Sequence, residues 1–271
     1  MAKTDTEIPF MIGEDFTQRQ NVTWRVEQAG GDSSRVVLEP EMPWDDGHPF
    51  LHGTVVRDPI DGLWKAWGTA SPSAPFRTQL RRLGYLESED GVSWRRPELD
   101  LSPIEDHQRT NVLLDLDTGG YSLCSSVLID PEASKSHRYE MFVLRQPGRP
   151  ADLKAAETVT GFTGADGEAA RVSGLYRYYS GDGIRWQPSA GPLMTIEGDP
   201  LKSKSTNDNI FIYREADGTY VAYHKTVVRN FPGSIYPYET SFGMCRILVR
   251  RTSEDGVEWS DLEQVVLPDW R

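Results

Sequence analysis

Ser88-Glu89-Asp90-Gly91-Val92-Ser93-Trp94 returns as Ser180-Gly181-Asp182-Gly183-Ile184-Arg185-Trp186 and again as Ser253-Glu254-Asp255-Gly256-Val257-Glu258-Trp259. The copies start 92 and 73 residues apart (88 to 180, 180 to 253), and each sits between β-rich segments, so one supersecondary unit is used three times with loops of different length. Asp-Gly between two strands predicts a tight hairpin, because Gly takes positive φ without cost and the Asp carboxylate accepts nearby backbone N–H groups. The Trp three residues later is expected to begin the returning strand and to wedge between neighbouring sheets, its indole N–H left for a carbonyl or water. On this reading Asp90, Asp182 and Asp255 build turns and do no chemistry.

The same four-strand pattern surrounds each copy. The first unit runs through Gly53–Arg57, a turn at Pro59-Ile60-Asp61-Gly62, Leu63–Trp67 and Leu83–Leu86. The second uses Ser126–Ile129, Arg138–Val143 and Gly174–Tyr179, and the third Asn209–Tyr213, Tyr220–His224 and Arg246–Arg250. Repeated four-stranded antiparallel sheets with tight turns and Trp markers predict an all-β fold, a β-propeller. Residues 1–20 read as an N-terminal extension and 21–271 as a single propeller domain, with clear blades at about 50–100, 120–190 and 205–268 and an insertion at 146–173. Ala151–Glu157, inside that insertion, is a short helix candidate that reads equally well as loop.

With 271 residues and 38% hydrophobic content the chain can bury a globular core. Its net charge, 29 − 41 = −12, and the lack of a basic stripe argue against a nucleic-acid partner. No apolar run approaches the ~20 residues of a membrane span, and the polar start has no signal-peptide core, so no membrane partner and a cytoplasmic location are expected, or secretion if the N-terminus is truncated. Cys124 and Cys245 are too far apart for a CxxC zinc site and read as two buried thiols. No cofactor is implied.

The S-x-D-G-x-x-W hairpins, the strand–DG–strand units with aromatic ends and the Asp208-Asn209 dipeptide opening an inner strand resemble the five-bladed propeller glycosidases. That group contains invertases, levansucrases and arabinanases, and the resemblance is closer still to uncharacterised bacterial glycosidase-like proteins. It covers roughly residues 40–268. The sialidase box, with one more residue between Asp and Gly, is a weaker match. The resemblance implies five blades. Three clear units are legible, plus a partial one from Val22–Val26 and Arg35–Leu38, so a second chain or a homo-oligomer completing the ring is one expectation.

Strands that run up and down put the strand 1–2 and strand 3–4 turns on one face and the inner-strand starts and strand 2–3 loops on the other. In the resembling group the substrate pocket lies on that second face. The resemblance therefore implies catalytic residues Asp46 (or its neighbour Asp45) as nucleophile or base and Asp208 as the carboxylate that orients the sugar or tunes the acid. Glu239, a carboxylate in an aromatic loop where burial would raise its pKa, is the candidate general acid. Trp44, His48, His52, His224, Lys225, Arg229, Tyr236 and Tyr238 are the candidate substrate-binding residues. Each has a plainer reading as turn, cap or packing, and three separate structural histidines remain an alternative to a metal site. Arg57-Asp58-Pro59 is similar to a catalytic triplet of the invertase group, but it precedes the Asp61-Gly62 turn and is read as turn structure. Three functions are carried forward for a carbohydrate or glycoside substrate: hydrolysis by paired carboxylates, phosphorolysis with His224, Lys225 and Arg229 holding phosphate, and sugar binding or scaffolding without catalysis.

Overall fold

The structure, a computed structural model, describes residues 36–45, 48–71, 82–114, 121–146, 174–195, 206, 210–229 and 244–266. The chain divides into two compact units, Met1–Val36 and Val37–Arg271, and the three described sheets all belong to the second. The first sheet holds β1 (His48–Arg57), β2 (Trp64–Ser71), β3 (Arg82–Ser88) and β4 (Val112–Leu114) in that order. The second holds β5 (Tyr121–Ile129), β6 (Tyr139–Gln146), β7 (Gly174–Ser180) and β8 (Trp186–Thr195). The third holds β9 (Ile210–Arg214), β10 (Tyr220–Arg229), β11 (Met244–Ser253) and β12 (Glu263–Val266). Every neighbouring pair is antiparallel.

The three sheets are consecutive blades of a β-propeller, joined through their inner strands: β1 lies against β5 and β5 against β9. One hydrogen bond recurs at this seam. The Thr54 hydroxyl of β1 accepts the Val127 N–H of β5 at 2.9 Å, and the Ser126 hydroxyl of β5 accepts the Ile212 N–H of β9 at 2.7 Å. Between blades 1 and 2 lies a core of Trp67, Leu83, Tyr85, Tyr139, Met141, Val143, Tyr176, Tyr178 and Trp186. Between blades 2 and 3 lies a second, of Phe142, Leu144, Leu175, Met194, Ile212, Tyr220, Ala222 and Trp259.

Each S-x-D-G-x-x-W corner is built in the same way. In the second copy the Ser180 hydroxyl donates to Asp182 and accepts the Gly183 N–H, while Asp182 Oδ1 accepts the Ile184 and Arg185 N–H groups, both at 2.8 Å. Asp90 and Asp255 do the same for residues 92–93 and 257–258. The glycines stand at φ 75, 76 and 72°, a region closed to most side chains. The corner serine pairs with the aromatic residue that opens the second strand: Trp64 with Ser88, Tyr139 with Ser180, Tyr220 with Ser253.

The corner tryptophans depart from expectation in two blades. Trp186 opens β8, but β4 begins 18 residues after Trp94 (94 to 112) and β12 begins four residues after Trp259 (259 to 263). In blade 1 the intervening chain makes its own bridges, Leu99 to Thr110 and Ile104 to His107, and lays Leu99 and Leu101 on the core before it returns. The wedging role holds for Trp186 and Trp259, whose buried indole N–H groups have no hydrogen-bond partner among the described residues. Inner strands β1 and β5 are also longer than the sequence pattern indicates, starting at His48 and Tyr121.

Buried charge locks each blade to the next. Between blades 1 and 2, Lys65 Nζ meets Asp58 at 2.5 Å and Asp61 at 2.7 Å, and the Tyr139 hydroxyl donates to Asp58 at 2.5 Å. Between blades 2 and 3, Glu140 pairs with Arg177 and with Arg214, and the Tyr220 hydroxyl donates to Glu140 at 2.9 Å. Lys65→Met leaves Asp58 buried without a counter-charge and is expected to cost about 3–5 kcal/mol of stability, whereas Asp58→Asn/Lys65→Met costs clearly less; urea melts of the two variants check this. Burial alone would raise the Asp58 pKa, but the Lys65 and Tyr139 hydrogen bonds outweigh it and hold it below its usual value. Its contribution is therefore complete above the ordinary carboxylate range and fades as pH falls below about 4, an acid sensitivity that the double variant should lose.

Candidate functional site

The corners fix which end of the molecule can carry a pocket. Each third strand ends at a corner serine, and that serine faces the first residue of the second strand, so every inner strand ends at the corner end. Consequently β1, β5 and β9 all start at the opposite end. The corner carboxylates are occupied by backbone amides, which hold the pKa values of Asp90 and Asp255 below the usual range. For Asp182 burial pulls the other way, but the Arg185 and Ile184 amides prevail. A shallow hollow of about 430 Å³ at the corner end of blade 3, lined by Thr219, Thr252, Ser253, Glu254, Glu258, Trp259 and Ser260, is open and made largely of turn residues.

Asp46, Asp208, Glu239, Tyr236 and Tyr238 lie outside the described residues, as do the helix candidate 151–157 and most of the 146–173 insertion. Asp45, the alternative to Asp46, is fully occupied. It is 1% exposed, accepts the Met42 N–H at 2.8 Å and the Glu41 N–H at 3.2 Å, and pairs with Arg96 at 2.8 Å. Trp44 is 2% exposed in a small core with Ala70, Ile104 and Val112, and its indole N–H donates to Asn111 Oδ1 at 2.9 Å. Trp44 has no open ring face on which a sugar could stack.

His48 opens β1 opposite Ser71, and Arg229 closes β10 opposite Met244; both stand at the inner-strand-start end of their blades. His52 is exposed at an irregularity of β1, with φ 54°. His224 and Lys225 are consecutive in β10, so their side chains leave on opposite faces of the blade. Arg229 is five residues on from His224, roughly 17 Å along an extended strand. The three cations that sequence proximity grouped as a phosphate site are therefore spread along and across a sheet.

His224 is a buried structural residue. Arg251 Nε donates to its Nε2 at 3.3 Å, which puts the ring proton on Nδ1, within 3.2 Å of the Thr206 hydroxyl and 3.3 Å of the Lys225 carbonyl. Desolvation, helped by the Arg251 charge, pushes its pKa down to about 4. Arg251 is itself 2% exposed and holds the Ser260 carbonyl at 2.7 Å. Sequence reasoning missed this pair and the Lys65 and Glu140 locks; the available signal was a charged residue at a core-facing position of an otherwise apolar strand. Among the described residues no three His, Cys, Asp or Glu side chains gather to hold a metal ion, and no helix is long and apolar enough to cross a membrane.

No protein-family model matches the chain, and no curated protein matches it. Solved structures do. One is an N-acetylgalactosamine deacetylase from F. plautii in complex with blood group B trisaccharide, at 16% identity and TM-score 0.44 over 77% of this chain and 48% of that one. Another comes from the GH130 family of mannoside phosphorylases, which contains glycoside hydrolases that target β-1,2-mannosidic linkages in Candida mannan, at 16% identity and TM-score 0.43 over 79% and 51%. A third is a levansucrase variant from B. megaterium, at 12% identity and TM-score 0.38 over 78% and 54%. The chain spans about half the length of these proteins.

A depressed histidine pKa means that the unfolded chain binds the proton more readily than the folded one. Stability should therefore fall by about 1.4 kcal/mol for each pH unit below the free-histidine value of ~6.5, levelling near the folded pKa. Ring ¹⁵N chemical shifts followed by NMR should show His224 as a neutral Nδ1–H tautomer throughout the range, centred on pH ~6.5, in which a free imidazole titrates.

Proposed function

We propose that this chain hydrolyses a small glycan or glycoside through carboxylates at the inner-strand-start end of the propeller, with Asp46 as nucleophile or base, Asp208 orienting the sugar or tuning the acid, and Glu239 as general acid. The observation that carries the reading is the shared polarity of the inner strands. β1 and β9 start at one end of the molecule, and Asp46 and Asp208 each precede one of those starts by two residues in sequence. The elimination of other carboxylates supports the same choice, since Asp45 is occupied by Arg96 and backbone amides, Asp58 by Lys65, and the three corner aspartates by their own turns.

Glycoside hydrolysis needs one protonated and one ionised carboxyl group flanking the scissile bond. His48, His52, Lys225, Arg229, Tyr236 and Tyr238 are the remaining candidates to bind the sugar. The phosphorolysis reading loses one of its cations, because His224 is neutral, buried and engaged at both ring nitrogens.

Asp46→Asn and Asp208→Asn are expected to lower turnover of an aryl glycoside by roughly 10²–10⁴-fold, the usual range for losing a general acid or base, while the melting temperature stays nearly unchanged. Assays across a panel of aryl glycosides, with and without inorganic phosphate, provide the check. Full activity in both variants would remove the assignment, and turnover that depends on phosphate would replace hydrolysis with phosphorolysis.

A further inference from the structure

The repeat makes it possible to ask, position by position, whether blade 3 is covered as blades 1 and 2 are. On the face that each blade turns to its successor, the second strand presents Trp67 in blade 1 and Phe142 in blade 2, both 0% exposed. The same register position in blade 3 is Tyr223, which is only half-buried. In the third strand Leu83 and Leu175 are 0% exposed, whereas their counterpart Leu248 is 40% exposed. Along the inner strand, Ser126 is 2% exposed and gives its hydroxyl to the next blade, but the residue in its place in blade 3 is Phe211, 60% exposed. Tyr213 stacks on Tyr223 at 6.4 Å and 8°, and Phe211 leans on Tyr213 at 5.9 Å, which makes a contiguous aromatic strip. A surface of this composition, at a position that is buried twice elsewhere in the same chain, is half of a blade junction.

The other half of such a junction is also present. In the inner strand, Val127 is 6% and Ile212 1% exposed because the preceding blade covers them, yet Val55, at the same position in blade 1, is 58% exposed. Trp64, at the place of the buried Tyr139 and Tyr220, is half-buried. The outer part of this face is already covered, with Ala66 and Leu86 each 2% exposed, so the open portion is its inner-strand side.

We infer that the aromatic face of blade 3 is an association surface for a second copy of this chain, which it receives head to tail against the exposed inner strand of that copy's blade 1. The contact is heterologous: Phe211 and Leu248 of one copy meet Val55 of the other. Phenylalanine in place of the Thr54 and Ser126 hydroxyls means that this junction is closed by apolar contact, without the hydroxyl-to-amide bond of the two internal ones.

Sedimentation velocity on the full chain tests the surface. The wild type should associate with rising concentration, its mass moving from one chain towards two or more. Phe211→Asp and Val55→Asp should each remain monomeric with the wild-type melting temperature. Phe211→Ser, which installs the residue already tolerated at position 126, serves as a second variant should Phe211→Asp fail to fold. An equimolar mixture of Phe211→Asp and Val55→Asp should recover association, because one junction between unlike variants is unaltered. A wild type that stays monomeric at every concentration would overturn the proposal and leave the face to a different occupant. So would association that Phe211→Asp or Phe211→Ser abolishes and Val55→Asp leaves intact, which would show two blade 3 faces packed on each other, or a mixture that remains monomeric.

Discussion

The arrangement depends on a carboxylate that closes a turn. In each corner the aspartate gathers two backbone amides while the serine hydroxyl secures the glycine N–H, and in blades 2 and 3 the corner carbonyls face the preceding blade. That blade then takes hold of them. The Trp67 indole donates to Gly183 O at 2.6 Å, and Arg177 donates to Asp255 O at 2.6 Å. A hairpin device four residues wide is therefore also the clasp between sheets, and a Cβ at Gly183 would come within 2.9 Å of Trp67. Local turn chemistry and blade stacking cannot be altered independently.

The two internal junctions share a geometry and differ in charge. A tyrosine at the start of the second strand reaches back into the preceding blade in both cases, but it meets a lysine–aspartate pair at the first junction and a glutamate held by two arginines at the second. Lys65 and Glu140 occupy the same register position, opposite Glu87 and Tyr179 respectively. Exchanging partners would bring together groups that do not compensate one another in a buried setting, which disfavours blades stacked out of order.

What the sequence made legible was local. The corners, the second and third strands of each blade and the all-β propeller class follow from turn residues and alternation within a few positions. Less visible was anything set by a distant partner. The indole N–H of Trp44 is satisfied by Asn111, 67 residues away, and the tautomer of His224 is set by Arg251, 27 residues away across the blade. Trp94 did not open a strand: Arg95 makes one bridge back to Glu87, and the chain from Leu99 to Thr110 then makes its own bridges before β4, a choice that heptapeptide similarity does not record. In the candidate site, the grouping of His224, Lys225 and Arg229 treated neighbours in sequence as neighbours in space, and a strand separates them by alternation and by length. The strand polarity that sets the inner-strand starts apart from the corners was, by contrast, readable from the number of strands per unit.

The variable positions of the corner heptapeptides have a practical value. Glu89 and Glu254 are exposed, and their side chains stand outside the Ser–Asp–Gly hydrogen bonding that makes the turn. A fluorophore, biotin or resin linkage introduced at these sites would tether the molecule by one pole in a known orientation. The pole at which the inner strands begin would then face the bulk solution.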